Sequence, residues 1–374
     1  MSTIADLLRP DLRERSPYGA PQLDVPVALN TNENAYAVPE PVVRAVTDAV
    51  ARVAPRLNRY PDREFAALRA DLAAYLGRSS GVRVPPEQVW AGNGSNEVLL
   101  HVLQAFGGQG RTALGFTPAY SMHPIISATT GTRWIDGRRG GQGRGAFDLD
   151  PADVVTQVRE HAPDLVMFCS PNNPTGTALP LEIVEAAYAA APDAVVLVDE
   201  AYAEFARPGP PSALTLLGGR DRLVVTRTMS KAFALAGARL GYLAAAVEFV
   251  DALRLVRMPY HLSAVTQAVA SAALRQADAL LGTVEAIKEQ RDRMVAELDA
   301  LGLDPVPSDA NFVLVGGLRD AGATWQALLD RGILVRDVGI AHHLRVTAGT
   351  PDENEAFLTA MRELTPTHGQ EQPA

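Results

Sequence analysis

The stretch RLVVTRTMSKAFALAGARLGYLAA, residues 222–245, contains two apolar runs of strand length that are separated by a turn rich in small residues. The cores of these runs, LVV and YLAA, are apolar at successive positions, so they lack the alternation of a strand with one face in water. Continuous apolar character is typical of strands in a sheet that helices cover on both faces. The stretch therefore predicts two strands of an α/β sheet, with Lys231 shortly after the first.

The same pattern extends in both directions along the chain. Further apolar runs, RTALGF, DLVMFCS and AVVLVDE, precede the stretch, and segments such as LPLEIVEAAYAAA between them have helical spacing. Strands that alternate with helices are typical of a mostly parallel sheet. The sequence therefore predicts an α/β fold.

Changes of pattern divide the chain into four parts. Residues 1–45 hold several prolines and little periodicity, which predicts an arm that packs on the rest of the protein or on a partner subunit. Residues 46–258 form the predicted large domain. Residues 259–364 form a smaller α+β domain, with long helices over roughly 264–302 followed by strands such as NFVLVG. The sequence of residues 365–374 predicts a disordered tail.

Composition restricts the functional classes. The formal net charge of -9 and the pI near 5.3 argue against nucleic-acid binding, which requires a basic surface. No apolar run reaches the roughly 18 residues of a membrane span, and the N-terminus lacks a signal-peptide pattern, so a cytoplasmic protein is expected. The single cysteine, Cys169, lies in the apolar run LVMFC and is expected to be buried and inert. The adjacent His342 and His343 have no accompanying carboxylates or cysteines, so no metal site is predicted.

Lysine is unusually rare in this chain. Only two of the 34 basic residues are lysines, and the rest are arginines. A lysine that is kept where arginine fills almost every cationic role is a candidate for chemistry that a guanidinium cannot perform, such as imine formation. Lys288 lies in the charged helical segment AIKEQRDRM and is expected to face solvent. Lys231 lies among small and apolar residues and is the stronger candidate.

Functional side chains are expected where the apolar runs end, because open α/β sheets bind ligands at the carboxyl ends of their strands. AVVLVDEAY ends with Asp199 and places Tyr202 three residues later, DLVMFCSPNNPTG ends in a turn that holds Asn173, and RLVVTRTMSK ends with hydroxyls and Lys231. WAGNGSNEVLL opens a helix. Each feature alone has a plainer explanation, since such residues often only cap helices or form turns.

Together these ends meet the requirements of a pyridoxal phosphate site. That cofactor needs an amine that forms an imine, a carboxylate at its pyridine nitrogen, donors at its phenolic oxygen and an anion site for its phosphate. We assign the amine to Lys231, the carboxylate to Asp199 and the donors to Asn173 and Tyr202. The residues assigned to the phosphate are Gly94, Ser95 and Asn96 at a helix N-terminus, together with Thr228, Ser230 and Arg239.

The motifs SPNNPTG, VDEAY, TMSKAFALAGARLGY and LRVTAGT resemble those of the fold-type-I aminotransferases of the aspartate aminotransferase superfamily, over nearly the whole chain. Within that superfamily, LNTNENAY, RYPD, AGNGSNE and TPAYSMHP are similar to the histidinol-phosphate aminotransferase family. The resemblance implies a seven-stranded sheet and a homodimer in which Tyr60 reaches the cofactor phosphate of the other subunit. It also implies that Tyr120 stacks on the cofactor ring, that Arg345 grips the substrate carboxylate and that Arg336 lies near the substrate's anionic end.

The resemblance further implies the substrates. These are L-glutamate with 2-oxoglutarate, and L-histidinol phosphate with imidazole acetol phosphate, in histidine biosynthesis; Lys231 would move the Cα proton. Asn34 and Tyr36 in the arm are both candidates for the substrate-facing position. Aromatic (phenylalanine) aminotransferases share the cofactor motifs, and pyridoxal-phosphate lyases share the fold, so both stay open as alternatives. A non-catalytic ligand-binding relative is disfavoured, because it would usually lose the lysine or the aspartate, and Lys231 and Asp199 are both present.

Overall fold

The computed structural model describes residues 3–13, 16–140, 147–208 and 211–365. The strands are β1 (Val27–Ala28), β2 (Val89–Gly92), β3 (Thr112–Thr117), β4 (Arg133–Arg138), β5 (Leu165–Cys169), β6 (Val195–Asp199), β7 (Leu223–Thr228), β8 (Gly241–Ala244), β9 (Asp304–Pro305), β10 (Phe312–Gly316), β11 (Ile333–Leu334) and β12 (Leu344–Thr347). The α-helices are α1 (Ile4–Leu7), α2 (Glu40–Val53), α3 (Ala66–Ser80), α4 (Ser95–Phe106), α5 (Met122–Thr129), α6 (Pro151–His161), α7 (Leu181–Ala190), α8 (Val247–Leu253), α9 (Ala264–Leu274), α10 (Ala277–Leu281), α11 (Val284–Ala300), α12 (Ala321–Leu329) and α13 (Pro351–Leu364).

The larger sheet has seven strands in the order β2-β8-β7-β6-β5-β3-β4. Five strands, β7, β6, β5, β3 and β4, run parallel to one another, whereas β8 runs antiparallel to both of its neighbours, β7 and β2. Because β2 and β7 are both antiparallel to β8, they point in the same direction. The carboxyl ends of β2, β3, β5, β6 and β7 therefore meet at one edge, and the expected mostly parallel, seven-stranded α/β sheet is confirmed.

Burial explains why these runs form strands. Every residue of β5, β6 and β7 is buried, as the continuous apolar pattern predicts for strands inside a covered sheet. Helix α4 packs against β2, β7 and β8, and it buries Val98, Leu99, Val102 and Leu103, which form one stripe at helical spacing. The sheet and its helices share one continuous apolar core.

Two strands of the larger sheet were not recognisable as apolar runs. Strand β4 lies at the edge of the sheet, and most of its residues are exposed or half-buried, so its sequence RWIDGR carries charges. Strand β2 is buried but only four residues long, and it leads directly into the turn before α4. A short strand and an edge strand both give weak periodic signals.

The C-terminal part has a second, antiparallel sheet in the order β12-β10-β9. The long helical region expected over roughly 264–302 consists of three helices, α9, α10 and α11. The interruption between α10 and α11 contains Gly282, a residue that is unfavourable inside helices.

The N-terminal arm contacts the C-terminal part. Strand β1 pairs in parallel with β11, and the N–H of Thr347 donates to the carbonyl of Leu29 at 2.9 Å. Helix α2 begins at Glu40, inside the predicted arm of residues 1–45, with a proline in its first turn, where the missing N–H costs nothing. The four-part division into arm, domains and tail stays a prediction.

The expected disordered tail, apart from Thr365, lies outside the described ranges. Within the described ranges, no helix is long and apolar enough to cross a membrane. The same residues include no group of three or more His, Cys, Asp or Glu that is arranged to hold a metal ion.

Candidate active site

A cleft lies where the carboxyl edge of the larger sheet meets the arm and the C-terminal part. Its cavity has a volume of about 170 Å³. The lining residues are Tyr18, Ala20, Asn30, Thr31 and Asn32 from the arm, Ser95, Asn96, Tyr120, Cys169, Asn173, Asp199, Ala201, Tyr202, Thr228, Ser230, Lys231 and Arg239 from the sheet side, and Arg336 and Arg345 from the C-terminal part.

Lys231 enters the cleft from the loop after β7. Its Nζ donates a hydrogen bond to the backbone carbonyl of Thr31 in the arm, at 3.0 Å. Burial of the amine, together with the nearby positive charge of Arg345, lowers the pKa of Lys231 to about 8. A substantial fraction of the amine is therefore neutral near physiological pH, and the neutral form is the one that acts as a nucleophile or base.

Asp199 is the last residue of β6 and is fully buried. Its carboxylate accepts a hydrogen bond from Oγ1 of Thr226 at 2.8 Å and lies 3.3 Å from Nε2 of His123. Within the described ranges, no arginine or lysine forms an ion pair with it. Because a buried carboxylate without a strong cationic partner is costly, Asp199 is suited to receive a positively charged group of a ligand.

Two tyrosines and an asparagine provide hydrogen-bonding groups beside Asp199. Nδ2 of Asn173 donates to the hydroxyl of Tyr202 at 3.3 Å, and the hydroxyl of Tyr120 donates to Oδ1 of Asn96 at 3.3 Å. Burial raises the pKa of both tyrosine hydroxyls, so both stay protonated and can donate.

One end of the cleft is built to bind an anion. Helix α4 begins at Ser95, and its unpaired N–H groups lie at this end, where an anion is favoured. Gly94, just before the helix, has a φ of +85°, and a Cβ at this position would clash with the guanidinium of Arg239. Arg239 also donates to Oγ of Ser230 at 3.4 Å, and Ser230 receives a hydrogen bond from Oγ1 of Thr228 at 3.0 Å.

Two arginines from the C-terminal part form the other end of the cleft. Arg345 is buried on β12, and its guanidinium donates to Oδ1 of Asn173 at 2.6 Å and to the carbonyl of Asn30 at 2.7 Å. Its Nε is buried without a hydrogen-bond partner among the described residues, and burial lowers its pKa. Arg336 pairs with Arg345 through an antiparallel bridge and lies 5.9 Å from the ring centre of Tyr18.

These groups fit the cofactor that the sequence predicts. Lys231 supplies an amine, Asp199 a buried carboxylate that pairs with no arginine or lysine of the described residues, and Tyr202 and Asn173 the donors. The α4 N-terminus and Arg239 supply an anion site, while Arg336 and Arg345 leave a second anion site for a substrate. The residues of the cleft therefore match the chemical groups of pyridoxal phosphate and of an anionic substrate.

Four of the residues predicted for the site do not line the cleft of their own chain. Gly94 lies directly before the lining residue Ser95. Tyr60 is 80% exposed and stacks on Tyr260, with ring centres 4.5 Å apart. Asn34 donates to the hydroxyl of Thr283 at 3.1 Å, and Tyr36 packs against the core. The substrate-facing role of the two arm residues stays a prediction.

Sequence reasoning did not select several lining residues, among them Tyr18, Asn30 and Asn32. All three belong to the arm, whose irregular backbone gives no periodic signal. For Asn30 and Asn32, the motif LNTNENAY was a usable signal, but it offered three asparagines without showing which of them face the cleft.

Comparison with known proteins agrees with this geometry. Residues 25–361 match the family model for aminotransferases of class I and II. The chain is 59% identical to a histidinol-phosphate aminotransferase of Paenarthrobacter aurescens (strain TC1), covering 96% of this chain and 94% of that one. It is 60% identical to the enzyme of the same name from Frankia casuarinae, covering 96% and 90% of the two chains. Among solved structures, it resembles histidinol-phosphate aminotransferase from Sinorhizobium meliloti in complex with pyridoxal-5'-phosphate, with a TM-score of 0.80, 26% identity and 91% coverage of both chains. The chain belongs to the family of class I and II aminotransferases.

Proposed function

We propose that this protein is a histidinol-phosphate aminotransferase that uses pyridoxal 5'-phosphate. It would move an amino group reversibly between L-glutamate and imidazole acetol phosphate, giving 2-oxoglutarate and L-histidinol phosphate, in histidine biosynthesis. The observation that carries the proposal is that the cleft has an anion site at each end, with Arg239 and the α4 N-terminus at one and Arg345 and Arg336 at the other. Relatives of that name at 59% and 60% identity over nearly the whole chain support it.

The residues that would hold the cofactor are those of the sheet edge. Ser95, Asn96 and Arg239 would bind its phosphate, Asp199 its ring nitrogen, and Asn173 with Tyr202 its phenolic oxygen. When bound, pyridoxal phosphate supplies an electron sink for the negative charge that develops at the substrate Cα.

Lys231 would move the proton of the reaction. Its Nζ takes the proton from the substrate Cα and returns it on the product side, which requires an amine that is neutral at the pH of the reaction. The lowering of the Lys231 pKa to about 8 brings this amine into the required range. Thr31, which accepts a hydrogen bond from Nζ, helps to orient it.

The two arginines would bind the anionic end of each substrate. Glutamate presents an α-carboxylate, whereas histidinol phosphate presents a phosphate in its place, and a planar guanidinium can bind either with two hydrogen bonds. We assign this task to Arg345. Arg336, on the neighbouring chain segment, adds a second positive charge that favours the more highly charged phosphate.

We also propose that the protein acts as a homodimer. Tyr60 is exposed in its own chain, as a residue that serves the cofactor phosphate of another subunit would be. The neighbouring exposed side chains Leu57, Leu255, Met258 and Tyr260 are apolar surface that such an assembly would cover. Function in the cytoplasm is part of the same proposal.

A single-turnover experiment tests the substrate assignment. Glutamate first converts the bound cofactor to its aminated form. The protein is then mixed with imidazole acetol phosphate or with phenylpyruvate, and the visible absorption of the cofactor is followed. We expect faster reaction with the phosphorylated ketone. In the Arg336→Gln variant the ratio of the two rates should fall by about fivefold to tenfold, because the contact between the arginine and the substrate phosphate joins two charged groups.

Arg331→Gln is the matched control, because Arg331 forms an exposed ion pair with Glu363 away from the cleft. A faster reaction with phenylpyruvate would instead assign the protein to the aromatic aminotransferases. Release of carbon dioxide from the amino donor would indicate a decarboxylase, and the absence of any cofactor band would reject the proposal.

A further inference from the structure

Asn32 is held in the arm by bonds to three different parts of the chain. It is 1% exposed, and its φ of +54° lies in the left-handed region, which asparagine and aspartate tolerate better than most residues. Its N–H donates to Oγ1 of Thr347 at 3.0 Å, and its carbonyl accepts from Nδ2 of Asn311 at 3.1 Å. The backbone position of Asn32 over the cleft is therefore fixed by β12 and by the residue before β10.

The side-chain amide of Asn32 has a defined orientation. Oγ1 of Thr347 donates its single proton to Oδ1 of Asn32 at 3.1 Å. The opposite end of the amide, Nδ2, then faces Tyr202 and donates to its hydroxyl at 3.0 Å. Thr347 thus determines which end of the amide reaches the cleft.

The hydroxyl of Tyr202 receives two hydrogen bonds, from Nδ2 of Asn32 and from Nδ2 of Asn173. A phenolic hydroxyl has one proton and two acceptor positions. Since both acceptor positions are filled by N–H donors, its proton must point to a third partner. Burial raises the pKa of Tyr202, so the proton is retained, and Tyr202 lines the cleft.

We propose that Asn32 is a positioning residue that makes the Tyr202 hydroxyl a donor toward the phenolic oxygen of the bound cofactor. This inference rests on the proposed use of pyridoxal phosphate. A donor at that oxygen stabilises its negative charge and lowers the pH at which the bound cofactor loses its proton. The bond from Asn32 polarises the Tyr202 hydroxyl and strengthens its donation. The arm thereby adjusts the cofactor without touching it.

The test is a pH titration of the visible absorption band of the holoenzyme. Asn32→Asp keeps the size of the side chain, its tolerance of a positive φ and the hydrogen bond from Thr347. It replaces the N–H donor by a carboxylate oxygen, which accepts a hydrogen bond from the Tyr202 hydroxyl and so draws that hydroxyl away from the cofactor. We expect the midpoint of its titration to rise by about one pH unit or more, because one hydrogen bond to a charged group usually contributes a free energy of that size. Asn32→Gly removes the amide without straining a positive φ and should raise the midpoint by about half a unit.

A double-mutant cycle separates this role from simple packing. In a Tyr202→Phe background, Asn32→Gly should produce no further shift, because the hydroxyl through which it acts is gone. Asn311→Ala is the matched comparison: it loosens the arm at the Asn32 carbonyl but keeps the Asn32 amide as a donor to the Tyr202 hydroxyl, so its midpoint should rise less than that of Asn32→Gly. Far-UV circular dichroism verifies that each variant is folded, and Asn32→Gly carries the test if Asn32→Asp is not.

An unchanged midpoint in the folded Asn32 variants, or an equal shift in the Tyr202→Phe background, would overturn the role of Asn32 while leaving the proposed function intact. A wild-type protein without any visible cofactor band would remove the proposed function and this inference with it.

Discussion

The two ends of the cleft are built in different ways. At the cofactor end, Asp199 is the last residue of a strand of the larger sheet, and Lys231 and the start of α4 each follow closely after a strand of the same sheet. At the substrate end, Arg345 bonds to Asn30 of the arm across 315 residues of sequence. The first end is fixed by the buried core of the sheet, whereas the second depends on docking of the arm and the C-terminal part. Changes at the substrate end are therefore expected to alter substrate binding more than cofactor binding.

The largest effect is expected from removing the amine at the cofactor end. Lys231→Ala should lower the single-turnover rate with glutamate by roughly 10²- to 10⁴-fold, since that is the usual contribution of a positioned acid or base. Cofactor should still bind through the anion site at α4. The measurement is the change of cofactor absorption after mixing with glutamate, with the variant saturated with cofactor.

The second lysine offers a matched control for this prediction. Lys288 lies on α11 and pairs with Glu285 at 2.8 Å, away from the cleft. Lys288→Arg keeps that charge and should react at the wild-type rate. Full activity in Lys231→Ala would remove the catalytic assignment of Lys231.

The same contrast explains what could be predicted from the sequence. At the cofactor end, functional residues lie at the ends of buried apolar runs, so a local pattern locates both the strand and its functional residue. Asp199 and Asn173 follow from this rule, and the structure places both in the cleft. Lys231 had an additional signal in the rarity of lysine. The arrangement is local because the sheet itself brings the strand ends together.

At the substrate end, local patterns were insufficient. Arg345 and Arg336 were assigned by resemblance, and nothing in their own segments identifies the arm residues that they meet. Asn34 and Tyr36 were selected in the arm, but Asn32, two residues earlier, lines the cleft and they do not. An irregular segment with a positive φ at Asn32 has no period from which the direction of its side chains can be read.

A smaller effect, confined to the substrate end, is expected for Arg345→Lys. Lysine keeps the charge but lacks the planar pair of N–H groups that arginine presents. For both amino-donating substrates, kcat/KM should therefore fall roughly 10- to 100-fold, mostly because KM rises. The visible band of the bound cofactor should stay close to that of the wild type. Steady-state kinetics with glutamate and with L-histidinol phosphate provide the measurement.

Arg331→Lys is the control for this variant, because its partner Glu363 is exposed and distant from the cleft. Loss of cofactor from Arg345→Lys, with unchanged KM for both substrates, would show that the two ends are not separable as described.

The smallest effect concerns a charge that couples the two ends. Burial and the charge of Arg345 lower the pKa of Lys231 to about 8 in the cofactor-free protein. Because only the neutral amine captures the cofactor aldehyde, the capture rate should rise about tenfold between pH 7 and pH 9 and then level off. An amine with the ordinary lysine pKa would give a rise of about a hundredfold over the same interval and would continue beyond it. Stopped-flow absorption measures this rate.

In Arg345→Gln the nearby positive charge is gone, so the midpoint of the pH profile of the capture rate should move to higher pH. A midpoint that does not move would mean that the substrate end exerts no electrostatic influence on Lys231.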